Sequence, residues 1–109
     1  MAQTIATEQP LNTARIATGT YLDTGTVAAY TWSDLGFKPR YIRVINTASG
    51  DEECWIEGMT DDHAFKRISA GTGAAITSLG LTVTDRGFTF GLDTDMNVTN
   101  QQVYWVAIG

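Results

Sequence analysis

The stretch that most constrains the fold is residues 41–59, YIRVINTASGDEECWIEGM. Ile42 and Val44 share one face and the residues that alternate with them share the other, which is the two-residue period of a half-buried strand. A second strand-like run, CWIE at 54–57, follows a break rich in turn residues, TASGD at 47–51. Glycine in such a break supplies left-handed backbone, and serine and aspartate supply local hydrogen bonds. The stretch therefore predicts a β-hairpin with a loop of more than two residues.

Further short runs rich in threonine, aromatic and β-branched residues lie on both sides of this hairpin. They cover residues 15–18, 20–22, 26–32, 64–68, 74–79, 81–84, 88–90 and 102–108. Many of the breaks between them contain one of the 11 glycines, and no stretch predicts a helix. We therefore expect an all-β chain of about eight short strands, packed as a two-sheet, jelly-roll-like β-sandwich, with a barrel as the alternative.

The chain of 109 residues is long enough for one core and too short for two. We expect residues 15–109 to form the β-sandwich domain. Residues 1–14 are polar, contain Pro10 and lack periodicity, which predicts an extended N-terminal arm or simple disorder. In an arm, Ile5 and Leu11 would be the apolar anchors on a neighbouring subunit.

The net charge is −5, from seven basic and twelve acidic residues. Such a chain is not expected to bind nucleic acid, which requires clustered Lys and Arg. No apolar run approaches the roughly 20 residues of a membrane helix, and the first residues lack the features of a signal peptide. The single cysteine, Cys54, rules out an intrachain disulfide and fits a reducing cytoplasm. Beside Trp55, it is expected to be a small buried hydrophobe rather than a nucleophile.

One acidic stretch matches the opening of a calcium-binding loop. Asp93, Asp95 and Asn97 have the spacing D-x-D-x-N. An EF-hand is excluded, because Val98 and Tyr104 stand where its loop requires Gly and Glu. A solvated acidic turn is the preferred interpretation, with a calcium site of another kind as the alternative.

Other polar clusters are also weak as sites. The DDH sequence at 61–63 has no second His or Cys at metal-ligand spacing, so a solvated loop is preferred. Asp51, Glu52, Glu53 and Glu57 could suggest the paired carboxylates of a glycosidase. Nothing in the pattern puts two of them in one apolar pocket, so a solvated hairpin tip is preferred. We therefore predict that the chain is not an enzyme and binds no metal or cofactor.

Two parts of the chain resemble small virion proteins of tailed bacteriophages. The first part is GFKPRYIRVIN at 36–46 with WIEGM at 55–59, and the second is GFTFG at 87–91 with VYWVA at 103–107. The same pattern recurs in phage tail-fibre modules. The resemblance covers roughly residues 35–108. It implies a β-sandwich structural protein of the particle and carries over no catalytic residues.

Because the chain starts with Met1 and ends just after its last strand, we expect a free-standing gene product rather than a fibre module. The expected function is that of a capsid decoration (cement) protein, made in the host cytoplasm. It would bind the major capsid protein on the outside of the virion as a homotrimer, with no nucleic-acid or membrane partner.

Residues 1–14 would then lie on the capsid. Arg40, Tyr41 and Arg43 are the candidate capsid- or subunit-interface residues, with a solvated strand edge as their alternative interpretation. The alternative function is a tail-fibre or receptor-binding module in which Trp and Tyr side chains bind carbohydrate.

Overall fold

The computed structural model describes residues 15–24, 29–69, 71–91 and 93–109, and these residues form eight strands and no helix. All strands belong to one antiparallel sheet of order β1-β8-β3-β4-β5-β6-β7-β2. The strands are β1 (Ile16–Leu22), β2 (Tyr30–Trp32), β3 (Tyr41–Asn46), β4 (Asp51–Ile56), β5 (His63–Arg67), β6 (Gly73–Thr84), β7 (Gly87–Phe90) and β8 (Gln102–Ile108). The all-β prediction is confirmed, and the described part of the chain contains no helix that could span a membrane.

The sheet curls until side chains of its two edge strands meet. Tyr21 of β1 stacks on Tyr30 of β2 with ring centroids 3.9 Å apart, although these strands stand at opposite ends of the sheet order. Trp32 of β2 also contacts Trp105 of β8, with ring centroids 5.1 Å apart. The described residues therefore form one continuous half-barrel, and the two separate sheets of the predicted sandwich are not confirmed.

The central hairpin forms where the sequence predicts it. β3 and β4 pair as far as Asn46 and Asp51, so the loop is residues 47–50. Gly50 has a φ of 81°, the left-handed conformation expected of a turn glycine. The Asn46 side-chain carbonyl accepts hydrogen bonds from the backbone N–H groups of residues 48 and 49, at 3.0 and 3.1 Å. These local bonds explain why the reversal occurs at this point.

Two pairs of predicted strands are in fact single strands. β1 runs through Gly19, and β6 runs through Gly80. A Cβ atom on Gly19 would lie 2.4 Å from the Trp105 indole, and one on Gly80 would lie 2.5 Å from the backbone of His63. These glycines therefore permit close approaches within strands and do not end them. The predicted strand at 26–32 is observed only as β2, because its start lies outside the described residues.

The core lies on the inner face of the curled sheet. Alternate residues of β3 and β8 are buried, as the two-residue period requires. The core consists of Ile42, Val44, Trp55, Leu81, Phe88, Phe90, Met96, Val103, Trp105 and Ala107. Two of the three tryptophans are thus core residues. The predicted arm at 1–14, with Ile5 and Leu11, lies outside the described residues and stays a prediction.

Candidate functional site

The outer face of the sheet carries a row of apolar side chains. Strand pairing sets four residues side by side across β1, β8, β3 and β4, namely Ile16, Ile108, Tyr41 and Ile56, which we call the outer row. The exposed fractions of its three isoleucines are 67% for Ile16, 37% for Ile108 and 54% for Ile56. Single exposed apolar side chains are ordinary, whereas cross-strand neighbours form a contiguous patch of the kind that marks interaction sites.

A second line of side chains widens this patch. Val106, Arg43, Cys54 and Phe65 are successive neighbours across β8, β3, β4 and β5, and Phe65 is exposed. A shallow cavity of about 190 Å³ lies between Arg43 and Tyr104. The apolar surface therefore extends beyond one row, with a cationic side chain inside it.

Three of the five predicted interface residues, Arg40, Tyr41 and Arg43, lie at or beside this face, and the other two are outside the described residues. Tyr41 belongs to the outer row, and Arg43 projects outward from β3. Arg43 donates to Glu52 Oε2 from Nε at 3.1 Å and from Nη2 at 2.5 Å. Arg40 donates to Glu57 at 3.3 Å. Both arginines therefore form ion pairs within the chain. The exposed apolar side chains are the groups of this surface that a partner protein could bury.

The ion pair of Arg43 perturbs both of its members. The hydrogen bond from Arg43 holds the pKa of Glu52 below its usual range, and the same bond raises the pKa of Arg43. Arg67 also pairs with Glu52, so this carboxylate joins two neighbouring strands. Exposed pairs of this kind contribute little to stability. With two arginines on one carboxylate, the group keeps a net positive charge beside the apolar patch.

Cys54 differs from its sequence-based prediction. It lies half-buried on the outer face, because the inward positions of β4 are those of Asp51, Glu53 and Trp55. Partial burial, followed by the charge of Glu52, raises the pKa of the Cys54 thiol. The group is therefore protonated near neutral pH, and a protonated thiol is a poor nucleophile.

The inner face holds a buried pair of carboxyl groups, Glu53 and Asp93. Glu53 is 0% exposed, and Asp93 and Asp51 are also buried. The predicted solvated hairpin tip is therefore wrong for Asp51 and Glu53. The physical reason is the two-residue period of β4, which directs both residues inward together with Trp55.

Lys66 neutralises this acidic cluster from β5. Its Nζ donates to the two Asp93 oxygens at 2.9 and 2.8 Å and to Asp95 at 2.6 Å. Burial works to raise the pKa of Asp93, but the bonds from Lys66 and the Asp95 N–H outweigh it and hold the pKa below its usual range. The solvated acidic turn is therefore wrong for Asp93 and Asn97, which are buried.

The oxygens of the D-x-D-x-N sequence are committed to protein donors. Those of Asp93 and Asp95 accept from Lys66, while Asn97 Oδ1 accepts from the Tyr21 hydroxyl. In the described ranges, no group of three or more His, Cys, Asp or Glu side chains is arranged to hold a metal ion. A lysine ammonium thus supplies the positive charge that a cation would bring.

Glu53 lacks a donor. Neither of its buried carboxyl oxygens receives a hydrogen bond from the described residues. Burial, followed by the negative charge of Asp93, raises the pKa of Glu53 to about 9. A protonated Glu53 can donate to the Asp93 carboxylate, whereas a charged Glu53 would leave two bare oxygens beside a like charge. Because Glu53 is fully buried, a substrate cannot contact it. The Glu53–Asp93 pair therefore affects the stability of the fold.

Two tyrosines tie the edge strands to this interior. Tyr21 donates to Asn97, and Tyr30 donates to the buried Asp23 at 2.7 Å. Burial, followed by the hydrogen bond to Asp23, raises the pKa of Tyr30 to about 12. Both hydroxyl groups therefore stay protonated and act as donors.

A second cavity, of about 260 Å³, lies beside Trp55. Its apolar wall includes Trp55, Met59 and Val83. Charged side chains from three separate positions complete the lining, namely Lys38, Glu57 and Asp61. Of the predicted solvated loop at 61–63, the two aspartates are exposed and His63 begins β5.

No protein-family model, curated protein or solved structure matches this chain. Function is therefore inferred from the surface and interior of the molecule itself. The sequence predicted Arg40, Tyr41 and Arg43 as interface residues, and that role stays a prediction. Sequence reasoning missed Ile16, Ile56 and Ile108 on the outer face, and the Glu53–Asp93–Lys66 cluster inside.

Proposed function

We propose that this chain is a non-enzymatic structural protein that docks through its outer face onto a larger protein assembly. The observation that carries the proposal is the outer row, four neighbouring apolar side chains on adjacent strands. The ion pairs of Arg40 and Arg43 border this row. An apolar centre with a polar rim is the anatomy of protein interfaces.

The proposed assembly is the head of a tailed bacteriophage, where the chain acts as a decoration or cement protein on the virion exterior. Support comes from the resemblance of residues 36–46, 55–59 and 87–91 to small phage virion proteins. The first stretch contributes Tyr41 and Arg43 to the outer face. Residues 1–14 end two positions before Ile16 of the outer row, and Ile5 and Leu11 would anchor them to the same major capsid protein.

The finer fold proposed is a flattened, jelly-roll-like sandwich that is open along one side. It is supported by the aromatic contacts of Tyr21 with Tyr30 and Trp32 across the inside of the curl. The homotrimer stays a prediction from the sequence.

The test is co-sedimentation with empty capsid shells of the parent phage. We expect wild type to bind and Ile56→Asp to bind at least tenfold more weakly, a loss of about 1.4 kcal/mol or more. Ile56 is exposed, so this substitution does not disturb the core. Val98→Asp is the matched control, because Val98 is an exposed apolar residue outside the outer row. A wild-type chain that ignores shells would overturn the capsid proposal.

The cavity beside Trp55 favours a second candidate, a carbohydrate-binding module of the phage tail. An apolar wall that includes Trp55, with the carboxylates of Glu57 and Asp61 beside it, is suited to a sugar ring and its hydroxyl groups. A glycan that binds only the folded state raises the melting temperature. A glycan-dependent rise that Asp61→Ala abolishes would favour the tail, whereas decoration predicts no rise.

A further inference from the structure

β1 is a long edge strand without the features that protect edges. Among the described residues, its only strand partner is β8, and no backbone hydrogen bond reaches its other side. Its seven residues, IATGTYL, include no charge and no proline, and its pairing with β8 has no bulge. The opposite edge, β2, has three residues. Proteins block edges with Lys, Pro, bulges or short strands, so β2 is protected and β1 is not.

Pairing with β8 determines which backbone groups of β1 point outward. The Gly109 N–H donates to the Arg15 carbonyl at 2.8 Å. The Asp23 N–H donates to the Gln101 carbonyl at 3.2 Å. In an antiparallel ladder, the odd-numbered residues of β1 therefore bond to β8. The even-numbered residues present their N–H and C=O groups at the open edge, and their side chains are exposed: Ile16, Thr18, Thr20 and Leu22.

We propose that β1 pairs antiparallel with β1 of a second copy, about a twofold axis at Gly19. In this register, Ile16 faces Leu22 of the second copy and Thr18 faces its Thr20. Every hydrogen-bonded pair along the edge then joins two even-numbered residues, so about eight backbone hydrogen bonds link the copies. The two sheets become one continuous sheet.

The strand is self-complementary in this register alone. Ile16 and Leu22, which are 67% and 49% exposed, cover each other twice, once on each side of the axis. The central threonines form cross-strand pairs, which stabilise antiparallel sheets. A shift by two residues would set Ile16 against Thr20 and lose the apolar match.

Gly19 at the axis supports the same register. The axis passes through a pair that is not hydrogen-bonded, where opposite Cα atoms approach to about 4.5 Å. Trp105 covers Gly19 on the inner face. Ile16 also belongs to the outer row, so pairing extends that row into Leu22 of the second copy. This inference goes beyond the proposed capsid function and does not depend on it.

The first test is the solution mass of the full chain, measured by sedimentation equilibrium. We expect a wild-type dimer and a Thr18→Pro monomer. Thr18 directs its N–H away from β8, so proline removes only the intermolecular bond, and edge strands tolerate proline. Thr18→Ala, the control, keeps the N–H and is expected to remain a dimer. Circular dichroism checks that each variant is folded.

The second test probes the register. Ile16→Lys and Leu22→Glu should each weaken dimerisation at least about tenfold. Mixing the two variants should restore it, because the new lysine then faces the new glutamate while the remaining Leu22 faces the remaining Ile16. A monomeric wild type overturns the proposal, including the case in which residues 1–14 occupy the edge and their deletion creates a dimer. A trimer unaffected by Thr18→Pro also overturns it.

Discussion

Replacing Glu53 with glutamine is expected to stabilise the protein at neutral pH and remove most of its pH dependence. Glu53 is buried without a donor among the described residues, and burial together with the charge of Asp93 raises its pKa from 4.5 to about 9. The folded chain therefore keeps a proton that the unfolded chain releases between these two values. Folding at pH 7 must take up that proton.

The sign follows from this proton uptake. Because the folded state binds more protons, its stability is fully present below pH 4.5 and is lost as the pH rises toward the folded pKa. The free energy of unfolding falls by about 1.4 kcal/mol per pH unit in this interval, which amounts to about 3 kcal/mol by pH 7. The lowered pKa of Asp93 acts in the opposite sense and removes stability as the pH falls below 3.8. We therefore expect maximal wild-type stability near pH 4–5.

Glutamine resembles a protonated glutamate in size, and its amide donates to Asp93 at any pH. It has one more N–H to satisfy, so the expected gain of Glu53→Gln at pH 7 is about 2–3 kcal/mol. Near pH 4.5, the variant should be less stable than wild type by no more than about 1 kcal/mol, the cost of that extra N–H. Glu57→Gln is the matched control, because Glu57 is an exposed carboxylate paired with Arg40.

The assay is urea unfolding from pH 4.5 to pH 8, followed by tryptophan fluorescence. A wild-type stability that stays flat or rises from pH 5 to pH 8 would refute the reasoning. So would a Glu53→Gln variant that is less stable than wild type at pH 8. Either result would mean that Glu53 is charged in the folded protein.

Two further predictions concern the interior, and urea unfolding measures both. Lys66→Ala leaves Asp93 buried without its cation and should lower the free energy of unfolding by about 3–5 kcal/mol. Asp95→Ala removes a largely exposed partner of Lys66 and should lower it by less than about 1 kcal/mol. Equal losses would contradict the assignment of Asp93 as the buried partner. Gly19→Ala forces a Cβ against the Trp105 indole and should lower the free energy of unfolding by about 1–3 kcal/mol. The tryptophan emission should shift as well. An unchanged midpoint of urea unfolding would contradict the close approach.

The hairpin was predictable because its signals are local. The alternation of Ile42 and Val44 and the turn glycine at Gly50 depend only on neighbouring residues. The number of sheets depends instead on whether β4 and β5 pair continuously, which no local pattern specifies. Gly19 and Gly80 resemble strand breaks in the sequence, since the groups that approach them come from elsewhere in the chain.

The buried acid pair was missed although one signal for it exists. Charged residues occupy both faces of β4, so hydrophobicity alone does not assign its inward side. Counting back two residues from a buried Trp55 directs Glu53 inward. Its partner Asp93 follows only from the packing of a distant turn, as does the approach of Lys66. The outer row was missed because its members lie far apart in the sequence. Only the pairing register of β1, β8 and β3 makes them neighbours.

The most direct test of the docking face uses Cys54 as a native probe. It is the single cysteine of the chain and lies on the outer face beside Arg43 and Phe65. Its rate of alkylation by a maleimide would be measured with the chain alone and with the chain bound to capsid shells. Docking through the outer face predicts that bound chains react at least about tenfold more slowly. An unchanged rate on chains that co-sediment with shells would contradict this account, as would a chain that does not bind them.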